Sequence, residues 1–149
     1  MKPAAARYQT LHFLPNELCD CSKELNMHLV WIRTQEGETV IEDLEVPSTK
    51  QVRGYETVAL PLGGAIFRTR QPAVDMDFHN APRRQIVVPL EGEVEIETGS
   101  GEVRLISPGM ALLADDLTGQ GHKSKFRPKN ATMLFLLLPD DLDPAIWRK

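Results

Sequence analysis

The chain has 149 residues, of which 42% are hydrophobic, and its 17 Lys and Arg against 21 Asp and Glu give a formal net charge of -4. A chain of this length buries roughly 70% of its unfolded surface, so we expect a single domain spanning residues 1–149. The acidic balance lacks the positive field that nucleic-acid binding needs, and the longest apolar runs are far shorter than the ~20 residues that cross a bilayer. We therefore expect neither nucleic acid nor membrane as a partner.

Residues 1–26 form a predicted N-terminal segment. Leu14, Leu18 and Cys21 recur at helical spacing, which favours a short helix. Cys19 lies only two residues before Cys21, a spacing too tight for an ordinary disulfide and unlike a Cys-x-x-Cys motif, so we expect both thiols to be reduced. No apolar stretch follows the positive start of the chain, which predicts a cytoplasmic protein without a signal peptide.

Residues 27–139 carry short runs rich in β-branched side chains, and nine of the ten glycines fall within this region from Gly54 onward. Such runs between glycine-containing turns are typical of strands. The first predicted strands are His28–Arg33, Thr39–Val46, Glu56–Leu60, Ala65–Arg70 and Asp75–His79.

The clearest strand pattern follows these runs. Residues 85–90 and 93–98 flank a Glu-Gly pair, which predicts a hairpin closed by a tight turn. Val94 and Ile96 alternate with glutamates, so the second arm should have one packed face and one solvated face.

The last strand is predicted from about Thr132 to Leu138. It is apolar on both faces, so we expect it to be buried twice, either under the N-terminal segment or against a second subunit of a homodimer. Asp143 and Pro144 are typical of the start of a short helix in the C-terminal tail, residues 140–149. Many short strands with helical patterns only at the two ends predict an all-β sandwich or barrel.

The second half of the chain resembles the cupin superfamily. In its first motif, Gly-x5-His-x-His-x3/4-Glu-x6-Gly, His79 stands at the first histidine, Ala81 at the second, Gln85 at the glutamate and Gly92 at the last glycine. The resemblance implies a double-stranded β-helix, or jelly-roll, barrel whose interior holds the site. In the second motif, Gly109 opens a strand, and His122 follows the next turn about two residues later than the motif places its histidine.

Candidate site residues follow from these motifs. His79, Ala81, Arg83 and Gln85 share one parity, so an unbroken strand would direct all four side chains to one face. Pro82 lies inside this run, and a break or bulge there would turn Arg83 away from that face. The predicted catalytic residues are His79, Gln85 and His122, and the predicted substrate-binding residues are Arg83, Asp115 and Asp116.

A metal is weakly supported by the same residues. The usual cupin site has about three imidazoles and a carboxylate, whereas His79, Gln85 and His122 offer two imidazoles and a neutral amide. We therefore expect no tightly bound cofactor, although a weakly bound divalent transition metal on these residues stays an alternative.

The leading functional hypothesis is a small-molecule enzyme that uses acid/base chemistry without a metal. The resemblance implies isomerase, cyclase or lyase reactions, with His79 transferring the proton and His122 acting as a second acid or base or as a hydrogen-bond donor to the substrate. Gln85 would orient a carbonyl or hydroxyl group, and Arg83 would bind a carboxylate or enolate. A metal-dependent oxygenase or isomerase, a non-catalytic small-molecule binding protein and purely structural histidines remain open as alternatives.

Overall fold

A computed structural model describes residues 25–149, in which strands make up most of the chain. The predicted N-terminal helix, Cys19 and Cys21 lie outside the described residues. The strands are β1 (Met27–Gln35), β2 (Glu38–Val46), β3 (Ser48–Gln51), β4 (Gly54–Thr57), β5 (Gly64–Arg70), β6 (Met76–His79), β7 (Gln85–Thr98), β8 (Val103–Ile106), β9 (Leu112–Asp115) and β10 (His122–Leu137). The predicted all-β class is thereby confirmed.

The one helical element of the described residues is a 3-10 turn, Pro144–Trp147. As the sequence predicts, Asp143 caps it, and its side chain accepts a hydrogen bond from the Ala145 amide. Nothing helical in the described part of the chain has the length and apolar character that crossing a bilayer requires.

Eight strands form one mixed sheet in the order β2-β1-β9-β7-β10-β5, with β8 also paired to β7 and β6 also paired to β10. All of these pairs are antiparallel except β1 with β9. Strands β3 and β4 form a separate two-stranded sheet.

The predicted hairpin at residues 85–98 is wrong, because the chain continues through it as the single strand β7. Residues 85–89 and 93–98 both pair with β10 instead of with each other, and the register shifts between these two stretches. Gly92 has a positive φ of 73°, and a Cβ there would lie 2.6 Å from the Asn130 carbonyl oxygen. Glycine thus serves a close approach of two strands here and not a chain reversal.

Strands β7 and β10 run through both halves of the sheet, and the two halves pack face to face as in a β-sandwich. The first half consists of β2, β1, β9, β5 and the paired residues 85–91 of β7 and 132–137 of β10. The second half consists of β8, β6 and the paired residues 93–98 of β7 and 122–127 of β10. The buried interior cluster draws on both halves, and its members are Val30, Ile32, Ala73, Ala81, Val87, Val94, Ile96, Ile106, Leu112, Ala114, Ala131 and Met133.

A second apolar cluster covers the outer face of the first half. Trp31, Leu44 and Leu113 are buried there together with Trp147 of the 3-10 turn. Strand β10 contributes to both clusters, because Met133 packs inside and Leu136 packs outside. This distribution accounts for a strand that is apolar on both faces. The homodimer stays a prediction.

The condition for a shared face, an unbroken strand from His79 to Gln85, is not met. Strand β6 ends at His79 and β7 begins at Gln85, so the residues between them form a loop. Within that loop Ala81 is buried, and its amide donates to the Asp116 carbonyl oxygen at 3.2 Å.

An ion pair joins the edges of the two halves. Arg104 of β8 contacts Asp43 of β2, with 2.7 Å between Nη1 and Oδ1. The hydrogen bond from Arg104 is the largest cause that lowers the pKa of Asp43 below its ordinary value. A carboxyl group whose pKa is lower in the folded state adds stability above its unfolded pKa, and this stability is lost as the pH falls through the folded value.

We predict that Arg104→Gln lowers the free energy of unfolding by at most about 1 kcal/mol at neutral pH, since the pair is partly exposed. In acid, where Asp43 is protonated in both states, the variant should match the parent. Urea denaturation at both pH values measures this, with Arg53→Gln in the β3–β4 turn as a control that should change nothing. An equal loss at both pH values would contradict the assignment.

Candidate functional site

A cavity of about 340 Å³ lies between the two halves of the sheet. Its walls are mostly apolar, with Val87, Ile96, Leu112 and Met133 among the side chains that line it. The polar and charged groups that reach it are Arg68, Arg70, His79, Asn80, Gln85, His122 and Ser124. A largely apolar cavity of this volume with a few polar groups is typical of small-molecule sites.

His122 is the first residue of β10 and is held by a buried carboxylate. Its Nδ1 lies 2.6 Å from Oδ2 of Asp116, and both side chains are almost completely buried. The Thr39 hydroxyl on β2 donates to the same Oδ2 at 2.9 Å. The other carboxylate oxygen, Oδ1, is buried without a hydrogen-bond partner among the described residues.

His79 lies beside His122 at the end of β6. Its ring centroid is 4.4 Å from that of His122, with the planes tilted by 55°. The Nδ1 of His79 is 2.8 Å from the Asp77 carbonyl oxygen. The two strands pair at this point, which brings together two histidines that are distant in sequence.

The hydrogen bonds assign the same tautomer to both neutral rings. The Asp77 carbonyl oxygen can only accept, so Nδ1 of His79 carries the proton. The Asp116 carboxylate also only accepts, from the Thr39 hydroxyl and from the His122 ring, so Nδ1 of His122 carries the proton as well. In each ring Nε2 then holds the free lone pair, and no hydrogen bond to a described residue occupies it. The site thus offers two neighbouring nitrogens for proton transfer.

Gln85 opens β7 and lines the same cavity. Its side chain is buried, yet its amide makes no hydrogen bond to any described residue. The amide group is therefore free to donate to or accept from a ligand. The structure brings His79, His122 and Gln85 together at one cavity.

Arg83 and Asp115, by contrast, lie outside the cavity. Arg83 is exposed in the β6–β7 loop. Asp115 pairs with Arg84, with 2.7 Å between Oδ1 and Nε, and accepts from the Trp31 indole at 3.3 Å. Successive residues of a strand point to opposite faces, which explains why Asp116 turns inward while Asp115 turns outward. Asp116 supports His122 and does not itself line the cavity.

Four residues of the site were missed by the sequence reasoning. Thr39 holds Asp116, and Asn80 braces the β9–β10 loop, because its amide donates to the carbonyl oxygens of residues 116, 118 and 119 at 2.9 to 3.2 Å. Asn80 directly follows the motif histidine, His79, so its position in the sequence could have indicated a role near the site. Arg68 and Arg70 line the cavity from β5, which no motif reaches.

The donor set does not fit the metal that the cupin resemblance implies. Within residues 25–149 there is no group of three or more His, Cys, Asp or Glu side chains arranged to hold a metal ion. The carboxylate nearest to the histidines is Asp116, whose Oδ2 is already engaged by His122 and Thr39. Two imidazoles and one neutral amide lack the third imidazole and the carboxylate of the usual cupin site.

Comparison with protein-family models finds no model that matches this chain, and comparison with curated proteins finds no significant match.

We predict that Gly121→Ala displaces β6 and with it His79. Gly121 has a positive φ of 77°, and a Cβ there would overlap the His79 carbonyl oxygen. Gly101 is a matched control, since its φ is also positive, at 86°, but nothing lies within 4 Å of its added Cβ. Chemical denaturation should show a loss of about 3 kcal/mol or more for Gly121→Ala and about 1 to 2 kcal/mol for Gly101→Ala. Equal losses would contradict the predicted contact.

We also predict the histidine tautomers. Long-range proton–nitrogen NMR spectra, recorded at a pH where the two imidazole rings are neutral, should show Nδ1 protonated and Nε2 unprotonated in both His79 and His122. The reason is that Nδ1 of each ring donates to an oxygen. The exposed His28 serves as an internal reference outside the cavity. An unprotonated Nδ1 in either cavity histidine would contradict the hydrogen bonds described above.

Proposed function

We propose that this chain is a cupin-like jelly-roll protein whose cavity catalyses acid/base chemistry on a small oxygenated organic molecule without a bound metal. The observation that carries the proposal is the buried Asp116–His122 pair, whose imidazole opens into an apolar cavity next to a second imidazole. A carboxylate behind an imidazole orients the ring and stabilises its protonated form.

The cupin-like assignment rests on where the motif residues lie. His79, Gln85 and His122 come from separate elements, yet all three line the same cavity between two sheet halves. The two long strands that pass through both halves are compatible with a jelly-roll path. The degenerate motif and the absence of a full metal-ligand set among residues 25–149 favour chemistry that uses the side chains directly.

In the proposed reaction His122 is the general base. Its Nε2 takes a proton from a carbon next to a carbonyl group, and the electron pair of the broken C–H bond moves to the carbonyl oxygen as an enolate. His122 takes this role because its positive charge is balanced by Asp116, whereas His79 has only the Asp77 carbonyl dipole.

The remaining polar groups lie around the enolate. The free amide of Gln85 donates to the enolate oxygen, and the lone pair on Nε2 of neutral His79 offers a second base beside His122. Return of the proton to a different atom gives an isomerase, whereas departure of a group from the next carbon gives a lyase. The apolar walls keep bulk water from protonating the intermediate first.

A second candidate is a binding protein without turnover. The apolar character of the walls supports it, because burial of a ligand requires no proton transfer. A cytoplasmic homodimer remains our prediction for either function.

The test of the proposed function is hydrogen exchange at carbon. A panel of small α-hydroxyketones and keto acids is incubated with the protein in D2O, and loss of the proton signal next to the carbonyl is followed by NMR. We predict that the protein accelerates exchange for at least one compound and that His122→Asn removes the acceleration by about 100-fold or more. Asp116→Asn should weaken it as well, since the amide keeps the shape but not the charge.

Controls separate chemistry from folding. His28→Gln, an exposed histidine paired with Asp43 outside the cavity, should exchange at the parent rate. Binding without exchange for every compound would favour the non-catalytic protein. Exchange that appears only after a divalent transition metal is added would favour the metal-dependent alternative on His79, Gln85 and His122.

A further inference from the structure

Two arginines at the cavity have no counter-charge. Arg68 and Arg70 lie two residues apart on β5, and both side chains line the cavity. Within residues 25–149 neither guanidinium forms an ion pair, whereas Arg84 and Arg104 elsewhere in the fold each pair with an aspartate. The two cations therefore stand next to each other without a carboxylate between them.

Aromatic rings fix the position of these guanidinium groups. Arg68 lies over Phe135, 4.7 Å from the ring centroid, and Arg70 lies over Phe126 at 5.3 Å. Both rings belong to β10 and also line the cavity. Stacking on a ring holds the planar group and leaves its N–H edges pointing away from the ring. Nη1 of Arg70 donates a weak hydrogen bond to Sδ of Met76 at 3.5 Å, and the other guanidinium N–H groups of the two arginines make no hydrogen bond to a described residue.

The electrostatic environment is unfavourable for the positive charge of Arg70. Desolvation, followed by repulsion from Arg68, lowers the pKa of Arg70 below its ordinary value. Among residues 25–149 no Asp or Glu side chain lines the cavity, although the whole chain carries a formal net charge of -4. The described wall of the cavity therefore carries positive charge without an acidic partner.

We infer that the ligand of this cavity carries an oxyanion, a carboxylate or a phosphate monoester, bound by Arg68 and Arg70, while its uncharged part lies against the apolar walls near His122. This inference rests on the proposed use of the cavity as the functional site. Guanidinium groups match the geometry of carboxylate and phosphate oxygens, and two of them can share one oxyanion. A neutral ligand would leave the partly buried Arg70 without a counter-charge and Arg68 paired only with solvent.

The test uses three probes with the same ring, which differ in charge: benzyl alcohol, benzoate and phenyl phosphate. Protein NMR titration should show that at least one anion binds about tenfold or more tightly than benzyl alcohol. The stronger of the two anions then distinguishes a carboxylate site from a phosphate site. Added salt should weaken the anion and leave benzyl alcohol unchanged.

Matched variants locate the effect. Arg68→Gln with Arg70→Gln should abolish the preference for the anion, whereas Lys50→Gln with Arg53→Gln, which removes two positive charges in the β3–β4 region, should retain it. Equal binding of all three probes to the parent protein, or a preference that survives the Arg68 and Arg70 changes, would overturn the inference. The salt titration of the parent protein decides the question even if the double variant fails to fold.

The test of anion binding can succeed or fail independently of the test of proton exchange. His122→Asn should lose exchange but keep the preference for an anion, because the arginines are unchanged. If the preference is present and no compound exchanges, the cavity binds anions without turnover. If exchange is present for neutral compounds and the preference is absent, the acid/base proposal stands and the oxyanion inference is wrong.

Discussion

Asp116 is completely buried, and separate segments of the chain meet at its oxygen atoms. The carboxylate holds Thr39 of β2 and His122 of β10, while the backbone carbonyl accepts from the Ala81 amide and the Asn80 side chain. These contacts fix the β6–β7 loop against the start of β10. The relative position of the two histidines depends on this junction, since His79 precedes that loop and His122 begins that strand.

This junction has an energetic cost. A buried carboxyl group loses its hydration, and here only Oδ2 receives hydrogen bonds from described residues, whereas Oδ1 receives none. An apolar side chain of similar size would fill the same space with a smaller desolvation penalty. The presence of a carboxylate behind a cavity histidine is therefore better explained by the charge that it stabilises than by packing.

Strands whose pattern of β-branched residues and turns lies within a short stretch of sequence were predictable. Strands β1, β2 and β5 match predicted runs, because β-branched residues and flanking turns are features of neighbouring residues. Strand β10 was predicted to begin about ten residues late. Its first part carries Lys123, Lys125 and other cationic residues, which conceal a strand whose charges pair with glutamates of β7.

Only the site residues that occupy cupin motif positions were predicted from the sequence. The motif identified His79, Gln85 and His122, whereas Arg83 would point inward only on an unbroken strand, and this segment is a loop. Arg68 and Arg70 reach the cavity because β5 pairs with β10, some sixty residues later in the chain. Such long-range pairing cannot be inferred from spacing along one sequence.

The sharing of β7 and β10 by both sheet halves also determines how the protein can come apart. Each half contains one part of both strands, so disorder that spreads along either strand reaches both halves. The Arg104–Asp43 ion pair and the interior apolar cluster add contacts between the halves. We therefore expect the walls of the cavity to behave as one cooperative unit, in which backbone amides at the two ends of β10 exchange through a common opening reaction.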